Sequence, residues 1–186
     1  MLLDSVVRTS AAVAATPARL AKIALIADLL VHVPAAEIEV AASFLSGDLT
    51  QRQIGVGFAA LTDLIGGYGA GAVSAALPAA VAEAQLTLTE TDQILGAIGA
   101  LAGQGSQAER RRLLGDLLAR ATESERGFLV RLLAGDLRQG ALDGVMTDAI
   151  ARAAAVPAAE VRRAHQLSGS LAATAATALI APAGQA

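Results

Sequence analysis

Apolar and polar positions alternate along the chain with helical period, in short runs bounded by Thr, Ser, Pro and Gly. The pattern predicts amphipathic helices over residues 4–15 and 92–102, with Thr89 as N-cap of the second. Thr16-Pro17 opens a helix to about residue 31, Thr serving as N-cap and Pro lying in the first turn. Its counterpart starts at Ser106, where Ser106-Gln107-Ala108-Glu109 reads as a capping box with Glu109 bonding back to the Ser106 amide. A second box, Thr122 to Glu125, opens a helix to about residue 134, and Pro34 opens one to about residue 46. Gly47 and Gly135 stand where left-handed caps end helices. Further helices are expected over 54–64, 142–155 and 157–168. Residues 65–86 read as a Gly/Ala-rich connector, and the end, from about residue 174, as a tail or the start of a linker.

The chain echoes itself at a constant offset of 88 residues. Leu25-Ile26-Ala27-Asp28-Leu29-Leu30 matches Leu113-Leu114-Gly115-Asp116-Leu117-Leu118, Lys22 matches Arg110, Glu37 matches Glu125, and Asp4 matches Asp92. The corner Gly47-Asp48-Leu49 with Gln51 matches Gly135-Asp136-Leu137 with Gln139. An ungapped register over about sixty residues points to internal duplication, with units of about 1–64 and 89–155. The fold class expected is all-α: one compact multi-helix domain over residues 1–179 with pseudo-twofold duplication, and 180–186 as tail or linker.

Composition agrees with helices. Alanine and leucine dominate, aromatics make up 2% of the 186 residues, and there is no cysteine, which excludes disulfides and thiolate metal sites. The start of the chain lacks a signal-peptide pattern, and the uncharged runs 64–82 and 166–186 lack the Leu/Ile/Phe density that favours membrane insertion. No membrane partner is expected. Net charge is −3, but residues 1–100 hold four basic and nine acidic residues, whereas residues 101–186 hold ten and eight. Thirteen of the fourteen basic residues are arginine, whose planar fork suits phosphate, although high-GC coding also enriches arginine.

Catalytic constellations are missing. His32 and His165 have no ligand-type partner at helical spacing, no Walker A or GxSxG motif occurs, and the glycine-rich run 66–71 lacks the strand and Lys-Ser/Thr of a phosphate loop. The polar corners remain. Gly103-Gln104-Gly105-Ser106-Gln107 leads into Arg110, Arg111 and Arg112, combining a helix N-terminus with nearby cations. The matching site in the first unit holds Arg19 and Lys22. Arg138-Gln139-Gly140 and Gln51-Arg52-Gln53 form a second matched pair. Each feature alone is accounted for by helix capping or a solvated face. Their repetition fits an extended polyanion with two phosphate strands, a DNA duplex.

The stretches LLDSVVRTSAAVAATPARLAKIALIADLL, SFLSGDLTQRQIGVGFAAL, GSQAERRRLLGDLLARATESERGFLVRLLAGDLRQGALDGVM and VRRAHQLSGSLAATA carry a resemblance. With them the chain resembles the N-terminal DNA-binding domain of ATP-dependent DNA ligases, in its actinobacterial form, over residues 1 to about 179. The resemblance implies an all-helical domain that binds the minor-groove face of nicked duplex DNA through phosphate contacts, without sequence preference. It implies catalytic domains that use ATP and Mg²⁺ to adenylate a lysine and seal the nick, in DNA repair, replication and recombination. Carried onto this sequence, the DNA-facing segments are Gly105, Ser106 and Gln107, and Arg138, Gln139 and Gly140; Arg110 joins them from the reading of the helix start above. Arg52, Gln53, Arg19 and Lys22 extend that set through the internal repeat. Gln104 stands where relatives often have lysine.

The adenylation motif Lys-x-Asp-Gly is absent; the single lysine, Lys22, lies in Ala21-Lys22-Ile23-Ala24. The expectation is therefore a non-catalytic fragment of a longer ligase, or a stand-alone relative, with no cofactor of its own and LIAPAGQA beginning a linker. It would act as a monomer in the bacterial cytoplasm, on the nucleoid when bound. The alternative is a helical protein-interaction scaffold without DNA affinity. A complete small enzyme is the third reading and lacks an acid–base or nucleophile set.

Overall fold

The computed structural model describes residues 1–51, 54–57, 61, 77–137 and 143–180. Among them the fold is all-helical, with α1 over Leu3–Ala15, α2 over Arg19–His32, a 3₁₀ turn over Ala35–Glu37 and α3 over Ile38–Ser46. Then come α4 over Leu88–Ala100, α5 over Ser106–Ala119 and α6 over Glu123–Leu133. The last three are α7 over Asp143–Ala154, α8 over Ala158–Ser168 and α9 over Leu171–Ile180.

Helix α2 lies along α7, and α9 along α3, while α1 packs on α2 and α6, and α4 on α5. Leu3, Val6, Ile26, Leu30, Leu95, Ile98, Leu114 and Ile150 fill the interior. Phe44 of α3 and Phe128 of α6 meet there, ring centroids 6.4 Å apart and planes tilted by 50°, a geometry that aromatic quadrupoles favour. Aromatic side chains are few, and alanines such as Ala41, Ala42, Ala149 and Ala175, all fully buried, let helix backbones approach closely. The chain start is tied to the start of α4: the Leu3 amide donates to the Leu86 carbonyl and the Leu88 amide to the Met1 carbonyl, both at 2.9 Å.

Several expected boundaries move, each for a local reason. Thr16 is not the N-cap of α2: Ala18 takes that position, and the Thr16 hydroxyl accepts instead from the Ala18 amide at 3.2 Å. Thr87, not Thr89, caps α4, accepting from the Glu90 amide at 3.2 Å. Thr89 instead donates its hydroxyl to Glu37 at 2.5 Å. The Ser106–Glu109 box does not form. Gly105, at φ +83°, is the N-cap of α5, and Glu109 turns to Arg112, with contacts of 2.6 and 2.9 Å. The Thr122–Glu125 box does form, with both reciprocal bonds present. Residues 54–57 are irregular rather than helical; the rest of the helix expected over 54–64 lies outside the described residues except for Leu61. The expected tail from residue 174 is a packed helix, with Leu171, Thr174 and Ala175 buried. The connector is likewise packed at its end, where Leu86 is fully buried.

Adding 88 to the ends of α1, α2 and α3 lands within three residues of the ends of α4, α5 and α6. The two corners also share their geometry. Gly47 and Gly135 both adopt positive φ, +85° and +68°. In each corner the glycine amide donates three residues back at 3.2 Å and the following aspartate amide donates five residues back at 2.9 Å, the double bond of a Schellman cap. Duplication of the whole unit is a proposal that rests on this register. No helix among the described residues is long and apolar enough to cross a membrane.

Candidate nucleic-acid interface

The loop before α5 is built around two glycines. Gly103 and Gly105 take φ +84° and +83°, a region closed to most side-chain-bearing residues. The loop exposes Gln104, Gly105 and Gln107. No side chain caps α5. The Ser106 amide donates to Gly103 and the Glu109 amide to Gly105. Among the described residues the Gln107 and Ala108 amides have no acceptor, so α5 presents unpaired donors at the positive end of its dipole.

The three arginines that follow diverge. Arg110 turns inward: its Nε donates to the Ile98 carbonyl at 3.3 Å, its Nη2 to the Leu101 carbonyl and its Nη1 to Ser106 Oγ at 3.3 Å. Arg112 bridges Glu109 and Asp116 at 2.6 and 2.7 Å. The hydrogen bond and charge of Arg112 hold the Glu109 carboxyl below its ordinary range. Arg111 lies on the exposed side of α5. The sequence singled out Arg110 as a phosphate contact; the structure places its guanidinium against main-chain carbonyls at the end of α4.

The corner after α3 is anchored on α4 as well. Thr50 Oγ1 and Gln51 Nε2 both donate to Asp92 Oδ1, the latter at 2.8 Å, and Gln51 Nε2 also reaches the Asp92 carbonyl at 3.2 Å. Gln51 is thus a holding residue, packed beside Gly96. Its Oε1 is buried without a partner among the described residues. Asp92 and Ile98 are six residues apart on one helix, so α4 spaces the two anchor points by roughly 9 Å along its axis. Sequence reasoning placed neither Asp92 nor Gly55 in the site. The echo of Asp4 in Asp92 was the available signal for the first.

Separate corners come into contact. A Cβ on Gly47 would meet the Leu137 carbonyl oxygen at 3.3 Å, so the two Gly-Asp-Leu corners touch. A Cβ on Gly55 would meet Arg110 Cζ at 3.0 Å, which joins the segment after the first corner to the α5 loop. Arg19 reaches across to the start of α7, donating to the Gly144 carbonyl at 2.9 Å and pairing with Asp148 at 2.6 Å. Arg162 shares that carboxylate at 2.9 Å, so two arginines flank one aspartate. Lys22 lies almost one turn beyond Arg19 on α2, half-buried. Arg52, Gln53, Arg138, Gln139 and Gly140 lie outside the described residues. Ser106, Gly105 and Gln107 stand at the start of α5. Among the described residues no group of His, Cys, Asp and Glu is arranged to hold a metal ion.

Comparison with known proteins points one way. The family model described as DNA ligase N terminus matches residues 3–151. A probable DNA ligase of Mycolicibacterium gilvum is 54% identical over 179 residues, covering 96% of this chain and 32% of that protein. Probable DNA ligases of Mycobacterium avium and Rhodococcus opacus are 50% and 47% identical, each over 96% of this chain and 32% and 33% of their own lengths. The chain therefore spans about a third of the length of the curated relatives it matches. With most of its length inside the family model and half its residues shared with such relatives, the chain belongs to the DNA ligase N-terminus family.

Proposed function

We propose that this chain grips duplex DNA through its phosphates, as the N-terminal part of an ATP-dependent DNA ligase. The observation that carries the reading is the contact between the two Gly-Asp-Leu corners, with Arg110 of α5 against Gly55 just after the first of them, in a chain of this family. In this reading the unpaired amides of Gln107 and Ala108 receive one phosphate. Arg138, Gln139 and Gly140 at the second corner, Arg52 and Gln53 at the first, and Arg19 with Lys22 on α2 receive others. None of these groups reads base edges, so binding is indifferent to sequence. Nicked and intact duplexes present nearly the same phosphates, so a monomer of this chain binds both with similar strength. Adenylation by ATP and Mg²⁺ and the sealing step, serving repair, replication or recombination, belong to catalytic domains; Lys22, the single lysine, sits inside α2 rather than in an adenylation motif.

The test is Arg138→Ala, followed by fluorescence anisotropy on several duplexes of unrelated sequence. The expected result is a similar loss on every duplex, with an unchanged helical circular-dichroism spectrum. A loss confined to one sequence, or unfolding of the variant, would contradict the assignment. A chain with no affinity for DNA at low salt would favour a protein-interaction scaffold instead.

A further inference from the structure

We infer that Arg110 is a positioning residue for DNA binding, a role that rests on the reading above: it fixes the α5 loop against the segment 54–57 and does not itself hold a phosphate. Its guanidinium donates to the Ile98 and Leu101 carbonyls, at and just beyond the end of α4, and to Ser106 Oγ in the first turn of α5. One side chain therefore fastens the end of one helix to the beginning of the next, across the turn made by Gly103 and Gly105. The carbonyls at the end of α4 are the negative pole of that helix, which accommodates the cation without a carboxylate. The guanidinium lies against Gly55, which has no side chain and adopts φ +67°; a Cβ there would sit 3.0 Å from Arg110 Cζ. Arg110 thus joins the start of α5, with its unpaired amides, to the segment after the first corner.

Arg126 provides an internal comparison. It is buried and donates to the Leu118 carbonyl at 2.6 Å, the Ala119 carbonyl at 3.5 Å and the Pro78 carbonyl at 2.9 Å. It fastens the end of α5 to the chain before α4 in the same manner, but none of its partners belongs to the corners. Both arginines hold structure; only Arg110 holds the loop that faces the ligand.

The experiment is a salt titration of duplex binding by anisotropy. It uses Arg110→Ala, Arg110→Lys, Gly55→Ala and Arg126→Ala at a temperature where circular dichroism shows each folded. Lysine keeps the charge but not the planar fork. The positioning role predicts that both Arg110 variants lose affinity about ten-fold, the effect of one lost charge-assisted hydrogen bond, with the slope of log affinity against log salt unchanged. Folded Arg126→Ala binds like the unaltered chain. A slope shallower by about 0.9 in Arg110→Ala, with affinity largely kept in Arg110→Lys, would make Arg110 a direct phosphate contact and overturn the role. Unaltered affinity in folded Arg110→Ala would overturn it too, leaving Arg110 a fold residue only. If Arg110→Ala does not fold, Gly55→Ala decides: it keeps the charge, displaces the guanidinium and is expected to show the same loss with the same slope, and full affinity contradicts the role. Absence of salt-dependent binding by the unaltered chain overturns the DNA-gripping reading itself, and this role with it.

Discussion

Two buried charges, Arg126 and Glu37, show how single residues stabilise this fold. Arg126 is 4% exposed, and its donors are matched by three carbonyls rather than by an acid. Arg126→Ala removes these charge-assisted hydrogen bonds from the interior and should cost about 3 kcal/mol, read as a lower urea midpoint. Glu37 joins the chain start, the 3₁₀ turn and α4. Burial pushes its carboxyl up, but hydrogen bonds from the Met1 ammonium and Thr89 and the charge of that ammonium outweigh burial and hold it below its ordinary value of 4.5. A carboxyl lowered by folding stabilises above its unfolded value, and the contribution disappears as pH falls through the folded value. Glu37→Gln should therefore be less stable than the unaltered chain near neutrality. Urea midpoints measured between about pH 7 and about pH 3 should converge at the acid end; a constant gap would contradict the assignment. The glutamate at residue 37 was legible as an echo of Glu125, but its partners were not, because they lie 36 and 52 residues away.

At the scale of elements, sequence patterns located helices better than they located caps. The box at Thr122 and Glu125 was legible and real. Thr122→Ala removes the hydroxyl that serves both the Glu125 amide and its carboxylate, and a loss of about 1–2 kcal/mol in thermal or urea denaturation is expected. The same four-residue pattern at Ser106 failed because Arg112, one turn on from Glu109, offers that carboxylate a charged partner; a guanidinium outcompetes a neutral amide. Helix α9 was read as a tail because its middle, Ala172 to Ala178, is uncharged and holds only Ala and Thr. Those small residues are what allow it to lie close on α3 and α7. Ala175→Leu should then overpack that contact and cost about 1–3 kcal/mol, whereas the same change on a free tail would cost nothing. The spacing role of α4 was not legible, since it depends on Asp92 meeting Gln51 of the first corner and Ile98 meeting Arg110 of α5.

For the whole molecule, net charge does not describe how the charges are placed. The chain is acidic overall, at −3, yet several of its acids are engaged with its own bases, such as Asp148 with Arg19 and Arg162 and Asp116 with Arg112. The echo at 88 residues correctly drew attention to the corners and their caps. It missed the contact between the corners. The central claim is that corners distant in sequence act as one DNA-gripping surface. Amide chemical-shift mapping by nuclear magnetic resonance, with a short duplex titrated into the isotope-labelled chain at low salt, tests it most directly. The account predicts that the perturbed amides fall at 19–22, 47–57, 103–108 and 135–144 and move together along one titration curve. Perturbations elsewhere, for instance around the exposed Val31 and Leu167, or none at all, would contradict it.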